Sequence, residues 1–149
     1  MRTRAAVLRE CQKPLSIETI NLAAPKANEV LVKIKASGIC RSDLNAIADA
    51  QTKVPMVLGH EASGIVEKIG NKVKHVKPGD HVALSWLPYC GVCFYCMRNQ
   101  PNLCQTVIEP MKNGTLLDGT TRFSKNRQKI YHYSLLSTFS EFTVVASKS

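Results

Sequence analysis

Glu29-Val-Leu-Val-Lys-Ile-Lys-Ala-Ser37, running on into Gly38-Ile-Cys40-Arg-Ser-Asp43, is the stretch from which the fold of this chain can be read. Val30, Val32, Ile34 and Ala36 fall on one face, with Leu31, Lys33 and Lys35 on the other. A period of two with lysines on one side describes a half-buried strand of an antiparallel sheet. Gly38 breaks the alternation. Ser42 then serves as the N-cap of a short helix that carries Leu44, Ile47 and Ala48 at helical spacing.

The same pattern extends in both directions. Residues 4–10 and 15–20 read as two short strands divided by Gln12-Lys13-Pro14. Val54 to Leu58 is an apolar run leading to Gly59-His60-Glu61. Residues 62–69 form another strand, in which Gly64 marks a bulge or a close approach of backbone. Lys77-Pro78-Gly79-Asp80 is a turn, and 81–86 the next strand. Later strand-like pieces cover 120–124, 129–133 and 139–145, with Asn126 able to take the left-handed conformation of a tight turn. Short strands punctuated about every ten residues predict a mainly β chain, a compact barrel or sandwich.

The chain has 149 residues, 44% apolar and 21% charged, the size and make-up of one globular domain. Aromatics are 6%, too few for a base-stacking surface. At the N-terminus only Ala5 to Leu8 are apolar in a row, which predicts no signal peptide, and no apolar run is long enough to span a membrane. The cytoplasm is therefore the expected compartment, and six cysteines, four at metal-binding spacing, fit a reducing interior. The net charge of +9 admits nucleic acid, a phosphate-bearing cofactor or an acidic remainder elsewhere in a longer protein. The basic residues are mostly scattered, as at Lys33, Lys35, Lys68, Lys72, Lys74 and Lys77. Only Arg122 to Lys129 is dense, across an expected hairpin turn. Solubility and a cofactor account for this pattern better than nucleic acid does.

Cys90, Cys93, Cys96 and Cys104 form the clearest chemical motif. Two short gaps and one longer one bring four thiolates to one tetrahedral centre, the arrangement of a structural zinc with no open position. Disulfides suit this spacing and compartment poorly. A ferredoxin-type cluster has a shorter third gap and a Pro after its last Cys, where this chain has Gln105. A second constellation is Cys40, His60 and Glu61. Each alone reads as a small buried thiol, a turn histidine and a surface charge. Together they supply the thiolate, imidazole and carboxylate of a catalytic zinc site, with Asp43 able to accept the other ring N–H of the histidine.

On Gly38-Ile-Cys40-Arg-Ser-Asp43, Gly59-His60-Glu61, Lys77-Pro-Gly-Asp-His-Val82, the four-cysteine lobe, Leu117-Asp-Gly-Thr-Thr-Arg-Phe123 and Ser137-Thr-Phe-Ser-Glu-Phe142, the chain resembles the zinc-dependent medium-chain dehydrogenases, the alcohol dehydrogenase group. Their catalytic zinc is held by two cysteines and a histidine. The resemblance implies a GroES-like β-barrel with short helices and a zinc lobe at 88–105. It further implies that Cys40 and His60 hold a catalytic zinc, with Glu61 as an alternative ligand, and that hydride passes from a small alcohol to NAD or NADP. Ser42 then matches the hydroxyl that relays the proton, and Arg41 a contact to cofactor phosphate. Trp86 and Tyr133 match the lining of the substrate pocket.

The chain departs from that pattern in two ways. Asn45 stands where many members have a proton-carrying histidine, and the third zinc ligand and a Rossmann domain fall beyond residue 149. The expectation is therefore an N-terminal catalytic domain over 1–149, inactive by itself, from an enzyme that assembles as a homo-oligomer. The resemblance around 117–123 points to primary alcohols, aromatic alcohols or thiol–aldehyde adducts. The rival readings are a non-catalytic zinc module that binds nucleic acid through its charge and a truncated remnant.

Overall fold

In chain order the computed structural model, which describes residues 1–149, contains β1 (Arg2–Leu8), β2 (Ser16–Leu22), β3 (Glu29–Ser37), α1 (Arg41–Ala48), β4 (Met56–Val57), β5 (Ala62–Ile69), β6 (His81–Leu84), α2 (Ile108–Asn113), β7 (Phe123–Lys125), β8 (Gln128–His132) and β9 (Phe142–Ala146). Strands β1-β2-β7-β8-β4 close into a barrel, and β6-β5-β3-β9 form a four-stranded sheet. The barrel closes through the one parallel pairing, β4 on β8; every other ladder is antiparallel. The mainly β architecture is the one the sequence predicts.

The two strand systems pack together across β3, which belongs to the four-stranded sheet. Leu31 reaches into the barrel core beside Val57, Phe123, Ile130 and Val144, while Val30 and Val32 join Val66, Leu136 and Val145 on the opposite face. The first half of β3 is thus buried on both sides, not on one as alternation predicts. The difference is tertiary: the barrel covers one face and a second apolar cluster the other. Only from Lys33 onward does the strand reach water. Gly64 lies opposite a register shift at Ile34 and Ala36, where a Cβ would stand 2.5 Å from the Lys33 carbonyl oxygen. The β7–β8 hairpin turns through Asn126 (φ 50°) and Arg127 (φ 65°), both left-handed as a two-residue hairpin requires.

The helix cap differs from expectation. Cys40, not Ser42, is the N-cap of α1, because Asp43 at the third helical position reaches back to accept the Cys40 backbone N–H at 3.0 Å. Arg41 and Ser42 thereby become the first two helical residues. Helix α2, not foreseen in the sequence, ends on Gly114 at φ 64°. No helix is long and apolar enough to cross a membrane.

Arg122, in the dense basic stretch, is not a surface charge. Its guanidinium is 2% exposed and grips the Glu29 carboxylate with two hydrogen bonds, one of them 2.9 Å from Nε, while Nη2 also reaches Asp118 at 2.8 Å. The pair ties the start of β3 to the strand that enters the barrel as β7. Burial opposes the Asp118 charge, but hydrogen bonds from Lys26 and Arg122 hold its carboxyl far below the usual range. Removing Glu29 leaves the buried guanidinium with only the more exposed Asp118 as a carboxylate partner. Glu29→Gln should therefore lower unfolding free energy by about 3–5 kcal/mol in denaturant titration; a loss within error would show that the pair is not a linchpin.

His132 is wholly enclosed against Phe123, and its Nε2 accepts the Arg122 backbone N–H at 3.1 Å. The ring proton therefore sits on Nδ1, which has no partner. Burial and then the Arg122 charge push its pKa down to about 3, with Asp118 opposing. Below the ordinary histidine pKa of about 6.5 the unfolded chain binds a proton that the folded one refuses. This stability is thus complete above that pH and lost as pH falls, by up to about 1.4 kcal/mol per pH unit. A His132→Gln variant keeps an acceptor but does not titrate, so its stability curve between pH 6.5 and 4 should be flatter; parallel curves would count against the neutral ring.

Candidate metal centres

Two groups of metal-ligating side chains converge in the fold, and they are built differently. In the first, Cys90, Cys93, Cys96 and Cys104 lie on a loop after β6, carried by short 3-10 turns at Cys96–Arg98, Pro101–Leu103 and Gln105–Val107. All four sulfurs lie within 4.8 Å of one another. The Cys90–Cys96 and Cys93–Cys104 separations are 3.9 and 4.0 Å, close to the edge of about 3.8 Å expected of a tetrahedron with zinc–sulfur bonds of about 2.3 Å. None of the four forms a disulfide.

The loop also directs backbone donors at the sulfurs. Val92 and Cys93 N–H point at Cys90 Sγ (3.4 and 3.3 Å), and Cys90 N–H points at Cys104 Sγ (3.3 Å). The N–H groups of Cys96 and Gln105 pull the Cys93 thiol down to about 6, whereas burial pushes the Cys96 thiol up to about 11. A divalent cation favours the thiolate at all four, so both geometry and donor set fit zinc. Cys104 is buried against Val107 and Leu135, which joins the lobe to the body of the fold.

The second group joins two connections. Cys40 ends the connection from β3 to α1, while His60 and Glu61 lie between β4 and β5. Their ligand atoms fall within 4.8 Å of one another. Asp43, 1% exposed, organises them. Its Oδ1 accepts the Gly59 N–H at 3.0 Å and faces His60 Nδ1 at 3.3 Å. With the ring proton on Nδ1, Nε2 presents its lone pair to the Ser42 hydroxyl at 3.2 Å and lies 4.0 Å from Glu61 Oε1. A thiolate, an imidazole and a carboxylate with an open side fit a zinc site that keeps room for a further ligand.

Ser42 belongs to this group as well. Its hydroxyl is 3.3 Å from Cys40 Sγ and 3.2 Å from His60 Nε2. Tyr133, which the sequence associates with a pocket wall, touches the group directly. Its hydroxyl donates to the Ser42 carbonyl at 3.0 Å, and its ring stands edge-on to His60 at 5.5 Å. Arg41 is exposed at the first position of α1, and its guanidinium makes no hydrogen bond or ion pair. Trp86 is 43% exposed on the loop after β6, and no ring contact or hydrogen bond connects it to the group.

Sequence reading passed over the clamp on Glu61. Its carbonyl accepts from Gly38 N–H (2.8 Å) and from Ser37 Oγ (3.1 Å), and Ser37 is paired with the Thr138 hydroxyl at 2.8 Å. Thr138 lies a hundred residues away and carries no local signal of this role. For the lobe, Cys93→Ser should release its metal and lower the thermal midpoint, since metal binding there contributes directly to folding. Metal analysis and circular dichroism would show it; full metal content with an unchanged midpoint would contradict a structural centre.

Residues 26–148 match the family described as alcohol dehydrogenase GroES-like domain. The chain is 46% identical over 151 aligned positions to the S-(hydroxymethyl)glutathione dehydrogenase of Escherichia coli, covering all of this chain and 41% of that protein. Among solved structures it superposes with a TM-score of 0.87 on an alcohol dehydrogenase zinc-binding domain protein from Burkholderia ambifaria (32% identity, 99% of this chain, 40% of that one). The benzyl alcohol dehydrogenase of Acinetobacter calcoaceticus gives the same score at 31% identity, over 98% and 39% of the two chains. The chain thus spans about two fifths of the length of these relatives.

Proposed function

This chain belongs to the alcohol dehydrogenase GroES-like domain family, and from that premise we propose that it is the catalytic-zinc domain of an oxidoreductase that moves a hydride from a small alcohol to NAD or NADP. The observation carrying this reading is the convergence of Cys40, His60 and Glu61, with His60 held by Asp43 so that Nε2 faces the other two. Cys40 and His60 would hold the catalytic zinc, with Glu61 as an alternative ligand. When bound, zinc supplies Lewis acidity that lowers the pKa of an alcohol hydroxyl, and the nicotinamide accepts the hydride.

The remaining work falls to the chain's own side chains. Asp43 fixes the His60 tautomer and ring orientation. Ser42 relays the proton of the substrate hydroxyl, accepting it as its own hydroxyl proton passes on to water; its contacts to Cys40 Sγ and His60 Nε2 support that place in the site. Asn45, an exposed amide, cannot carry the proton onward at neutral pH, so it leaves through water. Arg41, exposed and unpaired, offers a guanidinium fork to a cofactor phosphate. Tyr133 and Trp86 line the substrate side, and the Tyr133 ring beside His60 supports the first of these. Cys90, Cys93, Cys96 and Cys104 hold a structural zinc in a lobe spanning 88–105 within a domain of 1–149.

The names of the relatives, one a dehydrogenase of S-(hydroxymethyl)glutathione and one of benzyl alcohol, support a primary alcohol or a thiol–aldehyde adduct as substrate. A cytoplasmic setting and a homo-oligomeric enzyme complete the proposal. Six unpaired cysteines support the former, and exposed Val92, Phe94 and Met97 on the lobe the latter.

The test is a Co2+ titration of the chain with its lobe already filled by zinc. A second site should appear with thiolate charge-transfer absorption from Cys40 and visible d–d bands, and His60→Ala should remove both. No binding beyond the lobe, or bands indifferent to His60→Ala, would overturn the reading.

A further inference from the structure

Glu61 is the exposed member of its cluster, 53% accessible at the side chain. A glutamate in water samples many rotamers, and holding one of them costs entropy. Here the main chain is pinned twice, through the carbonyl that Gly38 N–H and Ser37 Oγ both reach. The side chain then lies directly over Gly38. A Cβ built on that glycine would stand 2.5 Å from Glu61 Oε2, closer than real Cβ atoms approach their neighbours, and a tight 3.1 Å from Glu61 Cβ.

Gly38 does not sit in the left-handed region, unlike Gly59 at φ 86°. Its φ lies outside the range that side chains rarely adopt. The lack of a side chain is needed only by what lies above it, and that is the Glu61 carboxylate. The nearest atoms a Cβ would meet all belong to this one residue.

We propose that Gly38 is a positioning residue of the Cys40/His60/Glu61 centre, its missing side chain forming the seat that keeps the Glu61 carboxylate within reach of the metal. The inference rests on the metal reading of that centre. A methyl at position 38 closes the seat and turns the carboxylate out toward water, while α1, His60 and the lobe keep their contacts.

The experiment is Gly38→Ala in the 149-residue chain, with the lobe loaded with zinc and Co2+ titrated into the second site. Binding should weaken by roughly tenfold or more, the range seen when a group that supports a metal ligand is lost. The d–d bands should shift to those of Glu61→Gln, and combining the two substitutions should add nothing further. Wild-type binding by Gly38→Ala, or losses that add in the double variant, would overturn the proposal. If Gly38→Ala also lowers the thermal midpoint, the Glu61→Ala background decides the cause. Recovery there assigns the strain to the carboxylate, and persistence there assigns it to the backbone and refutes the seat. A wild-type chain that takes up no Co2+ refutes the metal reading instead. The seat is then read without metal, from the 13C carboxyl resonance of Glu61. Gly38→Ala should move that resonance to the position of a freely solvated glutamate, and an unmoved resonance would refute the seat.

Discussion

The carboxylate of Asp43 is the constraint on which the candidate centre depends. An ionised carboxylate with almost no exposure is expensive unless its lone pairs are satisfied. Here the Cys40 N–H, the Gly59 N–H and the His60 ring N–H all converge on it. These are charge-assisted bonds, roughly twice as strong as neutral ones. One side chain thus caps α1, fixes the bend after β4 and sets the histidine ring. The thiol and the imidazole arrive from segments twenty residues apart, and Asp43 is the group common to both.

A second polar clamp sets the frame in which this happens. Arg122 and Glu29 are 93 residues apart in sequence and bind where the barrel meets the four-stranded sheet. Apolar packing around Leu31, Val57 and Phe123 supplies most of the cohesion, but packing alone tolerates sliding. A bidentate ion pair has one geometry. It fixes the start of β3, whose far end delivers Ser37, Gly38 and Cys40 to the centre. Burial of charge and precision of the metal-ligating group are therefore linked through a single strand.

Much of this was legible in local signals. The bounds of β3, the turn at Gly79, the left-handed Asn126 and the cysteine lobe each follow from neighbouring residues. What escaped the sequence depends on distant ones. The burial of β3 on both faces requires knowing that a barrel lies behind Leu31. The true cap of α1 turns on Asp43 reaching back to Cys40, which competes with the expectation that the serine caps. The parallel β4–β8 closure rests on two residues of β4, too few for any pattern. Cys40, His60, Asp43 and Ser42 were identifiable as a group, yet Tyr133 bonding to the Ser42 carbonyl was not, since its partner is a backbone atom with no signature.

The contrast between the two centres bears on the order of events when the chain folds. The lobe's ligands are confined to a fifteen-residue stretch from Cys90 to Cys104, so closing that loop costs little chain entropy and needs no sheet. The other centre exists only after β3 has paired with β5 and α1 has docked, contacts of long sequence range that form late. Metal reaching the first site would meet a chain still largely unfolded, and at the other it would need a finished fold. Were zinc scarce, a lobe that binds it would have first claim, and the barrel would mature around a knot already tied.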